Sequence, residues 1–296
     1  MKKTSKRKIR IRFGPAGKPL GFKGEIIKVP EELRNMGLDA LEVQQVRRLD
    51  ITKEKAELLK EEAKKHNILL SLHAPYAINF SSEKPETIEA SKERLLQALE
   101  IANYMNAYVV VFHPGYYGSR EPREALRIAI EALKEVAEKA KQKKLKPKIG
   151  PETMGKKSQL GSLEEVIEIV KEIPNSQPVL DFAHIHAREN GSLNTRKNYE
   201  KIFEKIEEEL GTKALNQLHI HFTKVEYGDK GEKKHHIFGE KYGPKFIPLA
   251  EILIEQNLNA TIISESPILE QDALRMKKIV QALLKGKSKK ELEKEE

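Results

Sequence analysis

The 296-residue sequence contains no cysteine and no tryptophan. Without cysteine there is no disulfide, no thiolate nucleophile and no thiolate zinc site, so any metal must be held by His, Asp and Glu. No apolar run approaches the ~20 residues that cross a bilayer. The opening MKKTSKRKIRIRF lacks the apolar stretch of a signal peptide. A soluble, cytoplasmic protein with no membrane partner is expected. A dinucleotide fingerprint is also missing, because FGPAGKPLG after the first strand pattern does not match the glycine spacing of such sites.

What the chain does have is charge. Asp, Glu, Lys and Arg make up 33% of it, with a net charge of +9. The excess favours a polyanionic partner such as nucleic acid, although a solvated surface slightly rich in lysine gives the same number. The Lys- and Glu-rich composition without Cys or Trp resembles that of proteins from hot-living organisms. Six of the first ten residues (Lys2, Lys3, Lys6, Arg7, Lys8 and Arg10) are basic. Residues 1–8 therefore read as a basic arm, 9–286 as one domain, and 287–296 as a charged tail with nothing to bury.

Within that domain, short β-branched runs alternate with amphipathic stretches. The runs are IRIRFG, ALEVQQV, ILLSLH, YVVVFH, PKIGPE, PVLDFA, LHIHF and TIISES. Several are apolar on both faces, as buried parallel strands are. Most are followed by a longer helical pattern, of which the first, IIKVPEELRNMG, is short and interrupted by Pro30. Ser162 and Glu165 have the spacing of a capping box, and Gly211 and Gly286 stand where helices should stop. Eight such units without an internal linker predict an α/β protein consisting of a single (β/α)8 TIM barrel.

The C-terminal end of each strand carries the chemistry. His73, His113, Glu152, Asp181 with His184, His219 with His221, and Glu265 stand at these ends, and His235 and His236 lie in the loop after the seventh strand. In such a barrel the strand ends share one mouth, so side chains far apart in sequence converge there. With His186, two residues after His184, eight of the nine histidines fall at these ends or in that loop, His66 being the exception. Each has an ordinary alternative as a turn or core residue, and Asp181 alone could cap a helix. Together they place three carboxylates in one rim with little positive charge nearby in sequence, and divalent cations would neutralise them. Imidazole with carboxylate favours zinc or manganese over calcium or magnesium, and a carboxylate such as Glu152 can bridge two ions. Ions ~4 Å apart activate water and clamp a phosphoryl group, which is phosphodiester hydrolysis. His219 and His221, two apart on a strand, face the same side. His221 is expected behind a ligand or beside substrate, and His186 receives no role.

LHAPYAIN, FHPG, PETMGKKSQLG, DFAHIHA, LHIHFTK, KKHHIFGE and ISESP resemble, in order and spacing, the signature segments of endonuclease IV, the metal-dependent apurinic/apyrimidinic endonuclease. The resemblance runs from about residue 70 to 267, while the first strand is a poor match. It implies a centre of two to three zinc ions, with manganese as the alternative, acting on double-stranded DNA whose abasic nucleotide is flipped into the mouth. Carried over, His73, His113 and Glu152 hold one ion. Glu152, Asp181, His219 and Glu265 hold a second, with Glu152 as the shared, catalytic carboxylate. His184 and His235 hold a third, with an acid just ahead of the histidine pair. Counting back from His235 that position is Lys233; counting forward from Lys224 it is Glu232, with one extra residue before His235. Glu232 is the expected ligand; if Lys233 stood there instead, its ammonium would oppose a third cation. Tyr76, Gln44, Gln45 and Arg48 fall where the family places DNA-contacting or pocket-lining side chains, and ordinary surface or barrel packing is the alternative for these and for His236. The expected activity is cleavage 5′ to an abasic site, leaving a 3′-hydroxyl, by a monomer. The alternatives are a sugar isomerase or epimerase of the xylose-isomerase-like barrels, which Glu152, Asp181, His219 and Glu265 alone could serve, and a DNA-binding barrel without catalysis.

Overall fold

The computed structural model describes residues 9–45, 50–294 and 296. The eight expected strands are all present: β1 (Ile11–Pro15), β2 (Ala40–Gln44), β3 (Leu69–His73), β4 (Val109–Phe112), β5 (Lys148–Pro151), β6 (Val179–Asp181), β7 (Leu218–Phe222) and β8 (Ala260–Ser264). All pair in parallel, in the two runs β1-β8-β7-β6 and β2-β3-β4-β5. Backbone hydrogen bonds close the two seams between these runs. Gly17 N donates to Glu42 O at 2.8 Å and Asp39 N to Phe13 O at 3.0 Å across β1/β2. Thr153 N donates to Val179 O at 3.1 Å and Gln177 N to Ile149 O at 3.0 Å across β5/β6. The result is a closed (β/α)8 barrel.

The β1/β2 seam explains one glycine. A methyl group on Gly14 would stand 1.8 Å from Ala40 O, so only glycine lets these two strands meet. We expect Gly14→Ala to destabilise the protein by about 3 kcal/mol, as overpacking against backbone does. An unshifted denaturation midpoint would contradict so tight a closure.

Around the barrel run α1 (Val29–Met36), α2 (Lys53–His66), α3 (Pro85–Tyr104), α4 (Pro122–Gln142), α5 (Leu163–Glu172), the short α6 (Phe182–Arg188), α7 (Arg196–Leu210), α8 (Phe246–Glu255) and α9 (Glu270–Leu284). Each buries an apolar stripe; in α4 it is Leu126, Ile130, Leu133 and Val136 with alanines between. Ser162 and Glu165 form the capping box at the start of α5, and Gly211 and Gly286, both at positive φ, follow α7 and α9. Pro30 does not interrupt its helix. It lies in the first turn of α1, where a missing N–H leaves nothing unsatisfied.

The charged C-terminal stretch also differs from expectation. Leu292, on a one-turn helix, is buried in the core, and Gly239 N donates to Glu296 O at 2.9 Å. One buried leucine is enough to bring this otherwise polar segment back onto the body. Residues 1–8, expected as a basic arm, lie outside the described residues, as does Arg48. Among the described residues no helix is long and apolar enough to cross a membrane.

Barrel interiors are ordinarily filled by branched aliphatic residues. Here that holds for Val109, Val111 and Val179. Toward the mouth the interior turns polar: Glu42, Ser71, His73, His219 and His221 are all buried.

Candidate metal centre

The imidazoles at the mouth are held by their outer nitrogens. His73 Nδ1 lies 2.8 Å from Ala74 O, His184 Nδ1 2.8 Å from Thr153 O and His235 Nδ1 3.1 Å from Glu265 O. A carbonyl oxygen only accepts, so each Nδ1 carries the proton and each Nε2 is left with a lone pair. His221 is turned the other way round. Its Nε2 meets Glu42 Oε1 at 2.9 Å, which leaves Nδ1 free.

Those free nitrogens, and His113 Nε2 with them, point at carboxylate oxygens. His73 Nε2 and His113 Nε2 lie 3.3 and 3.1 Å from Glu152 Oε2. His221 Nδ1 lies 3.1 Å from Glu152 Oε1, 3.4 Å from Glu265 Oε1 and 4.0 Å from Asp181 Oδ2. His184 Nε2 and His235 Nε2 lie 3.2 and 3.3 Å from the two oxygens of Glu232. Lone pair facing lone pair repels, so a positive charge belongs between them: a proton on each imidazole or a shared cation. Zinc bonds of ~2.0–2.2 Å in a tetrahedron put neighbouring ligand atoms roughly 3.3–3.5 Å apart. Most of the observed separations fall near that edge.

At the rim, among the described residues, three groups of convergent ligand atoms result, each within 4.8 Å: His73, His113 and Glu152; Glu152, Asp181, His221 and Glu265; and His184, Glu232 and His235. Glu152 belongs to two of them. Asp181 divides its oxygens, with Oδ1 accepting from His184 N at 2.8 Å as the cap of α6. Its Oδ2 is buried and has no hydrogen-bond partner among the described residues, as a ligand atom would.

One assignment from the sequence needs correction. His219 is not in the group with Glu152, Asp181 and Glu265; His221 stands there instead. Both side chains point inward, but two residues of strand separate them in depth, and only the one nearer the C-terminal end reaches the rim. His219 lies a layer below, with Nε2 2.9 Å from Glu42 Oε2.

The choice between Glu232 and Lys233 is decided by a β-bulge. After β7 the chain forms a hairpin of Lys224–Gly228 with Gly231–His236, in which Tyr227 pairs with Glu232 but Glu226 with Lys234. Lys233 is the extra residue, and the bulge re-aims its neighbours. It turns outward to within 3.6 Å of Glu226 Oε1, while Glu232 turns in to His184 and His235. Gly155, in the segment after β5, makes room: a Cβ there would stand 2.9 Å from Glu232. Glu232→Gln should therefore lose one bound ion per chain and Lys233→Ala none. Equal metal content in both variants would remove Glu232 from the centre.

Charge follows the same pattern. Five carboxylates, Glu42, Glu152, Asp181, Glu232 and Glu265, pair only with imidazoles among the described residues, and no lysine or arginine reaches them. Burial pushes the Glu152 carboxyl up, yet His221 and His113 hold it well below the usual range. Burial also pushes Glu232 up, and His184 and His235 bring it down. Burial raises Asp181, with Glu152 adding to it. The imidazoles of His221 and His184 are lifted well above their ordinary value and His235 to about 9; burial opposes this, and the facing carboxylates outweigh it. Carboxylates this starved of cations gather protons onto their neighbours, and a dication would take the place of those protons.

The remaining expected residues divide. Tyr76 is half exposed at the rim, its ring 5.7 Å from His73 and 5.3 Å from His113. Gln44 reaches Glu42 Oε1 at 3.1 Å, whereas Gln45 is buried and accepts from Asp50 N. His236 stacks on Tyr242, away from the three groups. His186 is structural: its Nδ1 accepts from Leu193 N at 3.0 Å, so burial beside Lys224 keeps it neutral, at about 4. Glu42 was missed. The signal was a single acid inside the apolar run ALEVQ.

The profile of the xylose isomerase-like TIM barrel family matches residues 30–284. The chain belongs to that family. Several of its relatives are named as probable endonuclease 4. It is 31% identical over 239 residues to a "probable endonuclease 4" of Aster yellows witches'-broom phytoplasma, covering 76% of this chain and 79% of that one. An uncharacterized protein of Methanocaldococcus jannaschii is 33% identical over 272 residues, covering 92% and 97%. Two solved structures share the fold. Endonuclease IV from Thermus thermophilus superposes with a TM-score of 0.69 at 19% identity, covering 94% and 100%. A D-tagatose 3-epimerase-like protein does so with a TM-score of 0.68 at 24% identity, covering 88% and 95%. Both xylose isomerase-like barrels are thus equally good matches in shape, and the side chains must discriminate between them.

Proposed function

We propose that this protein is a zinc-dependent endonuclease that hydrolyses the phosphodiester 5′ to an abasic site in duplex DNA, leaving a 3′-hydroxyl, and that it acts as a cytoplasmic monomer. The observation that carries this reading is the surplus of ligands. A one-ion sugar epimerase is served by Glu152, Asp181, His221 and Glu265, and has no need of His73, His113, His184, Glu232 and His235. The relative named as a probable endonuclease 4 supports the same choice.

Two or three zinc ions, with manganese as the alternative, would supply Lewis-acid polarisation of the phosphoryl group and of the attacking water. The chain's own residues set the geometry. Glu152, shared between two groups, fixes their spacing, and Asp181 keeps Oδ2 aimed because Oδ1 is locked in the α6 cap. Tyr76 offers a phenol at the entrance; burial and Glu265 push it up to about 12, so it enters contacts as a neutral hydrogen-bond donor. The net charge of +9 holds a polyanion in a salt-dependent way.

The test is a duplex with one tetrahydrofuran site. Cleavage on its 5′ side, abolished by a chelator and restored by zinc, is the expected result. Tight binding without cleavage at any divalent metal would favour the non-catalytic barrel, and a single ion with ketose epimerisation would favour the sugar enzyme.

A further inference from the structure

Glu42 lies in β2 with no exposed surface, in a layer that barrels normally fill with aliphatic side chains. Four donors surround it. Its Oε1 accepts from His221 Nε2 at 2.9 Å and Gln44 Nε2 at 3.1 Å; its Oε2 accepts from His219 Nε2 at 2.9 Å and Ser71 Oγ at 3.0 Å. The other nitrogen of His219 meets the hydroxyl of Tyr108. The protons can therefore be placed. Both histidines donate Nε2–H to the carboxylate, so His219 Nδ1 is an acceptor and takes the Tyr108 O–H. The one ring nitrogen in this chain of four with a lone pair left over is His221 Nδ1, which faces Glu152, Asp181 and Glu265.

We propose that Glu42, backed by His219, is a positioning residue that fixes the tautomer and ring orientation of His221 toward the cation held by Glu152, Asp181 and Glu265. This rests on the reading of the mouth as a metal centre. Three other imidazoles at the mouth are steadied by neutral backbone carbonyls: His73 by Ala74, His184 by Thr153 and His235 by Glu265. His221 is steadied by a carboxylate, and a donated N–H to a carboxylate makes the imidazole a stronger ligand. Burying a carboxylate without lysine or arginine is expensive, and the cations one imidazole away offset that expense. Glu42, His219 and His221 also bring three ligand atoms within 4.8 Å of one another, which by itself would suit an ion. Their hydrogen bonds are complete, however, and both Nε2 atoms already carry protons, so no ion is assigned there.

The experiment uses full-length zinc-loaded protein and titrates it with a competing chelator. In Glu42→Gln the isosteric amide can accept from one histidine but not both. One zinc should bind 10–100-fold more weakly, the range for outer partners of metal ligands, while the others keep their affinity. Unchanged affinity for every ion would make Glu42 a mere filler and overturn the proposal. A further ion in the wild type that Glu42→Gln alone loses would overturn it in favour of an interior metal site. Should the variant fail to fold, the wild type still decides: histidine-ring NMR of the zinc-loaded protein should show a slowly exchanging Nε2–H on His221, and its absence refutes the assignment. A wild type that binds no zinc would instead overturn the metal reading of the mouth itself, a different failure.

Discussion

Glu152→Gln should strip two ions from the protein and lower abasic-site cleavage by more than about 100-fold, beyond the 10–100-fold typical of an outer partner. The expectation follows from one side chain serving two groups. Glu152 Oε2 faces His73 and His113, and Oε1 faces His221. An amide cannot present two anionic oxygens, so both groups lose their shared ligand together. The group of His184, Glu232 and His235 does not include Glu152 and should keep its ion. Elemental analysis of the purified variant reads the loss directly, and rates on the tetrahydrofuran duplex read its consequence. A variant with full metal content and full activity would take the shared role away from Glu152. The substitution preserves volume, so the melting curve of the metal-free variant should still show one cooperative transition.

Removing the metal should lower the melting temperature by a large and calculable amount. A site exposed to free zinc at a thousand times its Kd contributes about 4 kcal/mol to the folded state. With an unfolding entropy of about 2 cal/mol/K per residue, that is roughly 7 °C per occupied site for a chain of this length, and three sites give roughly 20 °C. The direction is set by the mouth and the layer beneath it, where five buried or partly buried carboxylates have only imidazoles as ionic partners among the described residues. Chelation leaves them to be neutralised by protons, and the apoprotein should melt earlier. Scanning calorimetry with and without chelator measures the shift. A melting temperature that does not move would mean the carboxylates are satisfied without cations.

The barrel was legible in the sequence because each of its units repeats the same local signal: a short β-branched run, a polar turn and an amphipathic helix. Legibility extended to the mouth, since strand ends converge whatever the details: His73, His113, Glu152, Asp181, His184 and Glu265 were readable from their place at those ends and His235 from the loop after β7, while Glu232 came only from the family resemblance. What the sequence does not carry is depth and register. His219 and His221 share a face, and which of them reaches the rim depends on the strand's position along the barrel axis. Glu232 and Lys233 are adjacent, and the bulge that separates them is a property of hairpin pairing rather than of either residue. Glu42 stands 177 positions from His219 in the chain, and nothing local pairs them. Pro30 and Leu292 teach the smaller version of the lesson. A helix breaker is harmless in a first turn, and one leucine can anchor a segment that composition marks as a tail.

The most direct test of the account is an anomalous difference map at the zinc absorption edge, from crystals of the wild-type protein grown with zinc. We expect peaks among His73, His113 and Glu152, among Glu152, Asp181, His221 and Glu265, and among His184, Glu232 and His235. A map without peaks at the mouth, with those carboxylates bonded to protonated imidazoles or to lysines, would contradict it.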